Sequence, residues 1–323
     1  MSVLNNRAII WAKKYLHELG EVVESEQKIN NMPWSFVYRI KTDKRVIFLK
    51  QTPVSLYLET SVLYLLNQLN LSYIPNLVAV NKPLCAFLIS SIGDISLRAL
   101  SDQKLMIDLF IKGAVFYTKL QRYFEGKTSL LRALGAQDYT LDNLPTLYNH
   151  LLNHQSQLQV DGLRHYEYKK LVQLTTKLIE LSDKLKSYQI PETLNHCDFH
   201  DGNLIFNQIS NNVGIIDWGE IAICHPFFSL NACLWNLVYQ RDLDTQSKVY
   251  HNLKLELIKP WLDRYDQKNL IEAFNLAGKL NGFYAALGYQ FIYTATEDEV
   301  LPASVYKKGA ISGCLRSFIS DNS

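Results

Sequence analysis

The spacing of apolar residues predicts a small β-rich region in the first part of the chain. An amphipathic helix is predicted over residues 2–20, closed by Gly20. Short runs of β-branched and aromatic residues follow, which are typical of strands, together with one helix that is apolar along most of one side. The predicted order is strand, strand, helix, strand, strand, with the strands at 34–40, 45–50, 77–80 and 85–90 and the helix at 55–69.

From Leu97 onward the apolar period is helical almost throughout. The one predicted β insertion lies at 204–217, where two strand-like runs flank a polar turn. The predicted helices lie at 101–124, 141–158, 164–187, 228–240, 246–265, 268–293 and 302–319. This pattern predicts an α+β protein with two lobes, residues 1–93 and residues 94–323, joined by a linker at 90–96. A cleft between two lobes is a common place for a ligand.

Composition and charge narrow the class of protein. The chain has 323 residues, 48% of them hydrophobic and 20% charged, which is ordinary for a globular protein. A net charge of +2 indicates neither a nucleic acid nor another highly charged partner. No apolar run in the sequence approaches the ~18 residues that a membrane helix needs. The five cysteines form no CxxC pair, so a reduced, cytoplasmic protein with no membrane partner is expected.

The segment HCDFHDGN, which begins at His196, carries the densest chemistry in the chain. Four of its side chains are capable of binding a catalytic metal, as in a metallohydrolase: His196, Asp198, His200 and Asp201. The spacing disfavours that interpretation, because the familiar hydrolase pattern H-x-H-x-D-H has a second histidine where this chain has Asp198. In the other interpretation, Asp198 and Asn203 border a phosphate-transfer site and the remaining residues shape the loop.

The pattern after this segment predicts a hairpin that brings two oxygen ligands together. LIFN (204–207) and VGIID (213–217) are strand-like, so Asn203 before the first strand should lie opposite Asp217 at the end of the second. An amide oxygen and a carboxylate are hard ligands of the kind that Mg²⁺ prefers. Asp198 lies one loop away, where it is placed to accept a proton from a substrate hydroxyl.

A pair of opposite charges is predicted in the small lobe. Lys50 ends the apolar strand VIFLK, where a lysine without a partner would be unfavourable. Glu59 is the only acidic residue between Lys50 and Asp94, and it lies on the apolar side of the next helix. An ion pair between Lys50 and Glu59 would satisfy both charges and aim the lysine at an anion in the cleft.

These residues resemble the aminoglycoside phosphotransferase and choline kinase branch of the protein-kinase-like fold. The pattern His196-x-Asp198-x4-Asn203 matches the catalytic-loop signature of that fold, and the Asp-Trp-Gly segment at Asp217 stands where protein kinases have Asp-Phe-Gly. The branch is identified by HCDFHDGN, which is similar to H-G-D-x-H-x-x-N, and by the IDW that follows it.

The resemblance implies a bilobal protein-kinase-like fold, with a small antiparallel sheet and one helix in the first lobe and mainly helices in the second. It also implies an ATP- and Mg²⁺-dependent kinase that phosphorylates a hydroxyl of a small molecule such as an amino alcohol, a sugar or an aminoglycoside. The implied site residues are a catalytic base (Asp198), two metal ligands (Asn203 and Asp217) and the nucleotide-binding pair (Lys50 and Glu59).

Three positions depart from the pattern of that branch. The segment expected to cover the nucleotide, INNMPWSF at 29–36, has no glycine, so phosphate contact there would rely on backbone N–H groups or on Ser35. Cys197 replaces the usual glycine of the catalytic loop, and Ser229 stands where many relatives carry an aspartate that supports the loop.

The adenine is expected beside the linker, near residues 89–95.

Two other functions stay open beside the kinase, namely a non-catalytic kinase-fold protein that binds a nucleotide or a partner, and the metallohydrolase. The acceptor is not specified by the sequence. The aromatic run at 283–293 is either a buried helix or a pocket wall for a cation. The acidic segment at 297–299 is either a solvated loop or a neutralising group for a substrate amine.

Overall fold

The computed structural model describes residues 3–323 and, from residue 5 onward, their side chains. The first predicted helix is present as α1 (Val3–Glu18), and its predicted start at residue 2 lies outside the described residues. Gly20 follows this helix with a φ of +70°, a conformation that glycine adopts without strain and that ends a helix.

The N-terminal part of the chain builds one antiparallel sheet. Its strands are β1 (Val23–Met32), β2 (Ser35–Thr42), β3 (Val46–Gln51), β4 (Leu77–Asn81) and β5 (Ala86–Ser90). They lie in the order β1-β2-β3-β5-β4, and the helix α2 (Leu58–Asn67) connects β3 to β4. The four predicted strands and the predicted helix are therefore all present, with one additional strand.

The additional strand, β1, carries no apolar pattern that would predict it. Its sequence, VESEQKINNM, does not alternate because β1 lies at the edge of the sheet with most of its residues exposed. It pairs with β2 through Met32 and Ser35. The segment at 29–36, predicted as a loop, is therefore mostly strand, with a two-residue turn at Pro33 and Trp34.

The central strands of the sheet are buried on both faces. Ala86 and Leu88 pack with α1, whereas Phe87 and Ile89 face the larger core that contains α2. Successive side chains of a strand point to opposite faces, so the alternation along β5 separates the two packing layers. Lys50 pairs with Phe87 across the sheet and therefore points to the α2 face.

The remainder of the chain is mainly helical. Three predicted helices are each divided in two, at 141–158, 164–187 and 302–319. The helices are α3 (Gln103–Phe124), α4 (Thr128–Leu134), α5 (Leu144–Asn153), α6 (Gln155–Val160), α7 (His165–Gln173), α8 (Thr175–Lys186), α9 (Phe227–Arg241), α10 (Lys248–Ile258), α11 (Gln267–Ala295), α12 (Ala303–Tyr306) and α13 (Ala310–Asn322).

Six short strands interrupt the helices, and only the hairpin within 204–217 was predicted. The strands are β6 (Ile95–Ser96), β7 (Gln137–Asp138), β8 (Thr193–His196), β9 (Leu204–Asn207), β10 (Asn212–Ile215) and β11 (Ile221–Cys224). They form two three-stranded sheets, β10-β9-β6 and β7-β11-β8. The segments of two to four residues are too short to show a period, which is why β6, β7, β8 and β11 escaped prediction.

Two glycines allow the linker to lie directly on the β9–β10 hairpin. A Cβ atom on Gly93 would lie 2.6 Å from the carbonyl oxygen of Phe206, and one on Gly214 would overlap the side chain of Ile92. The N–H of Asp94 also donates to Phe206 O at 2.9 Å. The linker is thereby fixed against the hairpin that follows HCDFHDGN.

The α+β prediction is confirmed by this arrangement, while the boundary at residue 93 stays a prediction. Among the described helices, none is both long enough and apolar enough to cross a membrane. The five cysteines are all free thiols. A cytoplasmic location, inferred from those cysteines, likewise stays a prediction.

His225, between β11 and α9, is a buried histidine that the fold keeps neutral. Its ring packs against Phe227 and Phe228, and its Nδ1 accepts the N–H of Phe227 at 3.3 Å. Its Nε2 has no hydrogen-bond partner in the described part of the chain. Burial lowers the pKa of His225 from 6.5 to about 3. In the unfolded chain this group takes up its proton near pH 6.5, whereas the folded protein resists protonation until about pH 3.

The free energy of unfolding should therefore fall as the pH drops from 6.5 to about 3, by at most roughly 5 kcal/mol from this group. His225→Asn retains an acceptor for the Phe227 N–H but cannot titrate, so its stability should depend less steeply on pH over that window. Urea unfolding of both proteins at several pH values measures the two slopes. Equal slopes would show that His225 is not held neutral by burial.

Candidate active site

The segment HCDFHDGN forms the loop between β8 and β9, and His196 fixes its start. Its Nε2 lies 2.8 Å from the carbonyl oxygen of Ile216, and its Nδ1 accepts the N–H of Asp198 at 3.3 Å. Because a carbonyl oxygen only accepts, Nε2 carries the proton and the ring is neutral. Burial lowers the pKa of His196, in agreement with a neutral ring. His196 therefore holds the loop backbone.

Asp198 extends from this loop with a carboxylate that two neighbours orient. Its Oδ2 accepts Asn203 Nδ2 at 2.9 Å, and its Oδ1 lies 3.3 Å from Nε2 of His200. Asn203 Nδ2 also donates to the backbone oxygen of Asp198, at 2.9 Å. The side chain of Asp198 nevertheless remains 42% exposed, so it is accessible to a substrate.

His200 braces Asp198 from the far side of the loop. Its Nδ1 accepts the N–H of Gly202 at 2.9 Å, which leaves Nε2 to donate to Asp198. Burial by itself would raise the pKa of Asp198, but the hydrogen bond from His200 lowers it. Asp198 is therefore ionised at neutral pH and able to accept a proton.

Asp201 anchors the loop to the helical part of the chain. It is fully buried, with its Oδ1 accepting two guanidinium N–H groups of Arg98 at 2.7 and 2.8 Å. Its Oδ2 accepts Nε of Arg241 at 3.3 Å. A buried carboxylate with two arginine partners is satisfied where it stands, so Asp201 is a structural residue of the loop.

Ser229 belongs to a buried hydrogen-bond network beneath β8. The hydroxyl of Tyr117 accepts the N–H of His196 at 2.8 Å and lies 2.7 Å from Oγ of Ser229. Ser229 Oγ in turn donates to Oδ1 of Asn195 at 2.7 Å. This chain of hydroxyls and an amide supports the loop at the position where related enzymes were expected to carry an aspartate.

Lys50 joins three separate elements through its ammonium group. Its Nζ donates to Oε2 of Glu59 at 2.5 Å, so the predicted ion pair is present, and it also pairs with the carboxylate of Asp217. Glu59 Oε1 accepts the N–H of Trp218 at 3.3 Å. Burial by itself would lower the pKa of Lys50, but the charges of Asp217 and Glu59 raise it above its usual value. Lys50 is therefore a permanent cation.

Asp217 has a backbone conformation that is rare for a residue with a side chain, with a φ of +70°. Trp218, the next residue, is fully buried and holds this turn. Its indole N–H donates to the carbonyl oxygen of Ile215 at 3.1 Å, and its ring lies 4.7 Å from that of His196. The buried tryptophan holds the backbone of this turn, and the ion pair with Lys50 directs the Asp217 carboxylate.

Asn203 and Asp217 offer oxygen atoms that fit a magnesium ion. The N–H of Ile216 donates to Asn203 O at 3.0 Å, so the hairpin brings the two residues to adjacent strand ends as predicted. The Asn203 amide nitrogen is engaged by Asp198, which leaves its Oδ1 without a partner among residues 3–323. Asp217 shares one oxygen with Lys50 and is 36% exposed. An amide oxygen and a carboxylate on one cavity wall are ligands suited to Mg²⁺.

Two cavities flank the catalytic loop. The first, called here the Lys50 cavity, has a volume of about 360 Å³, and its walls include Ser35, Lys50, Glu59, Asn203, Asp217 and the linker residues 90–94. The second, the Asp198 cavity, has a volume of about 450 Å³ and includes Asp198 and His200 in its wall. The structure thus brings the predicted site residues to two neighbouring cavities, with Asn203 hydrogen-bonded between them.

The side chains predicted as possible substrate contacts divide between core and cavity. Tyr284 and Tyr289 of α11 line the Asp198 cavity, whereas Phe283 is buried in the core. The aromatic run is therefore both a buried helix and a pocket wall. The acidic segment at 297–299 is exposed and does not line the Asp198 cavity. Cys197 lines that cavity, and burial raises the pKa of its thiol.

The metallohydrolase interpretation loses its ligand set in this fold. Within the described residues, no group of three or more histidine, cysteine, aspartate or glutamate side chains is placed to hold a metal ion. His196 is committed to Ile216, and Asp201 is committed to two arginines.

Sequence reasoning missed Glu220, which lies in the wall of the Asp198 cavity. Burial, followed by the negative charges of Asp198 and Asp217, raises the pKa of Glu220 well above its usual value. Its position three residues after Asp217 was a signal available in the sequence. Arg98 and Arg241 were also missed, and their distance along the chain from Asp201 left no signal.

Comparison with known proteins agrees with this geometry. A family model described as the phosphotransferase enzyme family matches residues 26–255. A search of curated proteins by sequence found no match.

Three solved structures illustrate the likeness in fold. The choline kinase LicA from Streptococcus pneumoniae has 15% identity and a TM-score of 0.59, with 97% of this chain and 99% of that chain covered. An ethanolamine kinase from Plasmodium vivax has 13% identity and a TM-score of 0.62, with 97% and 87% covered. An aminoglycoside phosphotransferase from Streptomyces rimosus, in complex with ADP and streptomycin, has 12% identity and a TM-score of 0.53, with 83% and 98% covered.

The fold is the protein-kinase-like fold of these structures, and the family model assigns the chain to the small-molecule phosphotransferases. The chain belongs to the phosphotransferase enzyme family, whose model covers well over half of its length. The resemblance to aminoglycoside phosphotransferases and choline kinases is thereby confirmed.

The buried Lys50–Glu59 pair should be worth much more than an exposed one. Glu59→Gln leaves Lys50 with Asp217 alone, so the free energy of unfolding is expected to fall by about 1–3 kcal/mol. The exposed pair between Lys13 and Glu26, 2.7 Å long, is the control, and Glu26→Gln should cost less than ~1 kcal/mol. Denaturant unfolding compares the two variants, and equal losses would contradict this ranking.

Proposed function

We propose that this chain is an ATP- and Mg²⁺-dependent kinase that phosphorylates a hydroxyl group of a small molecule. The observation that carries the proposal is the position of Asn203. Its amide nitrogen holds the carboxylate of Asp198 on the side of one cavity, while its amide oxygen is left for a ligand on the side of the other. A single side chain therefore links a base to an oxygen site suited to a metal, as transfer between two substrates requires.

The Lys50 cavity is the proposed nucleotide site. Lys50 supplies the cation for the α- and β-phosphates, and Glu59 fixes its direction. Ser35, the first residue of β2, is buried in the same wall and supplies a hydroxyl beside the turn at Pro33 and Trp34. The linker residues 90–94 complete the wall and offer backbone groups to the adenine. The ADP in the Streptomyces rimosus relative supports nucleotide use in this fold.

Asp198 acts on the acceptor in this proposal. It orients the acceptor hydroxyl and takes its proton as the acceptor oxygen bonds to the γ-phosphorus of ATP. The bond from that phosphorus to the bridging oxygen breaks at the same centre, and ADP leaves. A magnesium ion held by Asn203 and Asp217 would neutralise phosphate charge, so that catalysis is mainly positioning and charge compensation.

The acceptor is proposed to be a small alcohol, since the Asp198 cavity of about 450 Å³ lies in the lower part of the ordinary range for ligand pockets. The related structures are named for choline, ethanolamine and an aminoglycoside, which are all hydroxyl-bearing compounds. We also infer that residues 1–93 and 94–323 are the two lobes whose cleft holds both substrates.

A non-catalytic protein that only binds a nucleotide is the competing function. The turn at Pro33 and Trp34 favours this function. The turn lacks glycine, so its backbone N–H groups are less able to approach the phosphates closely. The ionised, partly exposed Asp198 favours the enzyme. A screen of choline, ethanolamine, glucose, glycerol, streptomycin and hydroxy amino acids with MgATP decides between them, because a pseudokinase would bind MgATP and phosphorylate none.

Removing the base should abolish transfer without abolishing nucleotide binding. Asp198→Ala is expected to lower kcat by at least ~10²–10⁴-fold, while the Kd for MgATP changes little, because Asp198 lines the other cavity. ADP release measures transfer, and calorimetric titration measures nucleotide binding. Activity that survives this substitution would show that Asp198 is not the base.

Removing a metal ligand should raise the Mg²⁺ requirement. Asp217→Asn is expected to increase the Mg²⁺ concentration for half-maximal activity by ~10-fold or more, since an amide is a weaker ligand than a carboxylate. Asp94→Asn removes a negative charge from the same cavity at the linker and serves as the control. If both variants shift the Mg²⁺ requirement equally, the effect is one of general charge and Asp217 is not a ligand.

A further inference from the structure

The Asp198 cavity contains an acidic and a basic side chain that the fold leaves without an ion-pair partner among the described residues. The arginine, lysine, histidine and carboxylate side chains in its wall are Arg98, Asp198, His200, Glu220 and Lys307. Arg98 forms an ion pair with Asp201, and Asp198 accepts a hydrogen bond from His200. Glu220 and Lys307 make no ion pair or side-chain hydrogen bond to any residue in the described part of the chain. One negative and one positive group are therefore left for a ligand.

Glu220 lies in the wall of the Asp198 cavity, where carboxylates of the same sign act on it. It follows Trp218 in a short helical turn and is partly buried, and the negative charges of Asp198 and Asp217 outweigh the positive charge of Lys50 in their effect on it. A partly buried carboxylate beside two others of the same sign is unfavourable unless a cation joins it. An ammonium group of the ligand would supply that cation.

Lys307 stands at the rim of the same cavity, beside the turn between β1 and β2. It follows α12, and its Nζ lies 5.5 Å from the ring centroid of Trp34. Trp34 also lines the cavity and packs edge-on against Tyr306 at 5.6 Å. A cation over an aromatic face keeps its N–H donors available, so Lys307 is held at the rim and can still bind an anionic group.

We propose that the acceptor is a hydroxyl-bearing zwitterion, such as a hydroxy amino acid, with its ammonium group at Glu220 and its carboxylate at Lys307. This inference rests on the proposed function, because it assumes that the acceptor hydroxyl faces Asp198. An amino alcohol would satisfy Glu220 and leave Lys307 facing a like charge. A hydroxy acid would satisfy Lys307 and bring a carboxylate toward Glu220 and Asp198. Only a ligand with both charges meets both side chains with the opposite sign.

Matched alcohols separate the contribution of each charge. L-Homoserine carries both groups, 3-aminopropan-1-ol lacks the carboxylate, and 4-hydroxybutanoate lacks the amine, with the same carbon spacing to the hydroxyl. L-Serine, ethanolamine and 3-hydroxypropanoate form a second set with one carbon fewer. The full-length enzyme is assayed with saturating MgATP by ADP release. In whichever set is phosphorylated, the zwitterion should have a kcat/KM at least ~10-fold above both singly charged members.

Two substitutions assign the charges to residues. Glu220→Gln should lower kcat/KM by ~10-fold or more for the zwitterion and the amine, and leave the hydroxy acid unchanged or improved. Lys307→Gln should do the reverse, with loss for the zwitterion and the hydroxy acid only. The exposed neighbours Glu299→Gln and Lys308→Gln are the controls and should alter none of the ratios. Thermal melting checks that each variant is folded, and an unchanged KM for MgATP localises the effect to the acceptor.

The possible results distinguish this inference from the proposed function. Zwitterion preference that is lost in the two variants in the stated pattern supports the inference. Equal rates for singly charged and zwitterionic alcohols, or ratios that neither variant changes, would overturn it. Phosphorylation of choline, glucose, glycerol or streptomycin but of neither zwitterion would also overturn it, while the kinase function stands. Failure of every alcohol to accept a phosphoryl group would instead contradict the proposed function.

Discussion

The ammonium group of Lys50 is the point on which the site depends. It holds Glu59 of α2 and Asp217 of the β10 turn against β3, and Glu59 in turn holds the backbone of Trp218. A buried lysine of this kind is stable only while its carboxylates are in place, because each unpaired charge would carry a large desolvation cost. Loss of any one of these three charged groups should therefore displace the other two, and with them the contact between the sheet, the helix and the proposed metal ligand.

The catalytic loop is held by a second set of contacts that shares no residue with the first. Asp201 fixes one end of the loop to two arginines, and His196 fixes the other end to the backbone of Ile216. Gly93 brings the linker onto the β9–β10 hairpin that follows the loop. Since the hairpin also leads to Asp217, the proposed base Asp198, the linker and the proposed metal ligands have fixed relative positions. Such preorganisation is what phosphoryl transfer demands of a protein.

The sequence predicted those parts of the molecule that repeat a period or a motif. The strands around Lys50, the helix with Glu59 and the hairpin from Asn203 to Asp217 all carried such signals. The edge strand β1 did not, because its exposed side chains need not alternate in polarity. Contacts between distant segments, such as Arg98 with Asp201, could not be predicted either, since neither residue has a local pattern that specifies its partner. The charges of Glu220 and Lys307 became informative only when the fold placed them in one cavity.

The central claim is that a nucleotide in the Lys50 cavity shares a magnesium ion with Asn203 and Asp217. A crystal structure with Mg²⁺ and a non-hydrolysable ATP analogue tests it most directly. We expect metal–oxygen distances of about 2.0–2.1 Å to Asn203 Oδ1 and to the Asp217 carboxylate, with Nζ of Lys50 on the α- and β-phosphates. A nucleotide bound outside this cavity, or a metal that contacts neither residue, would contradict it.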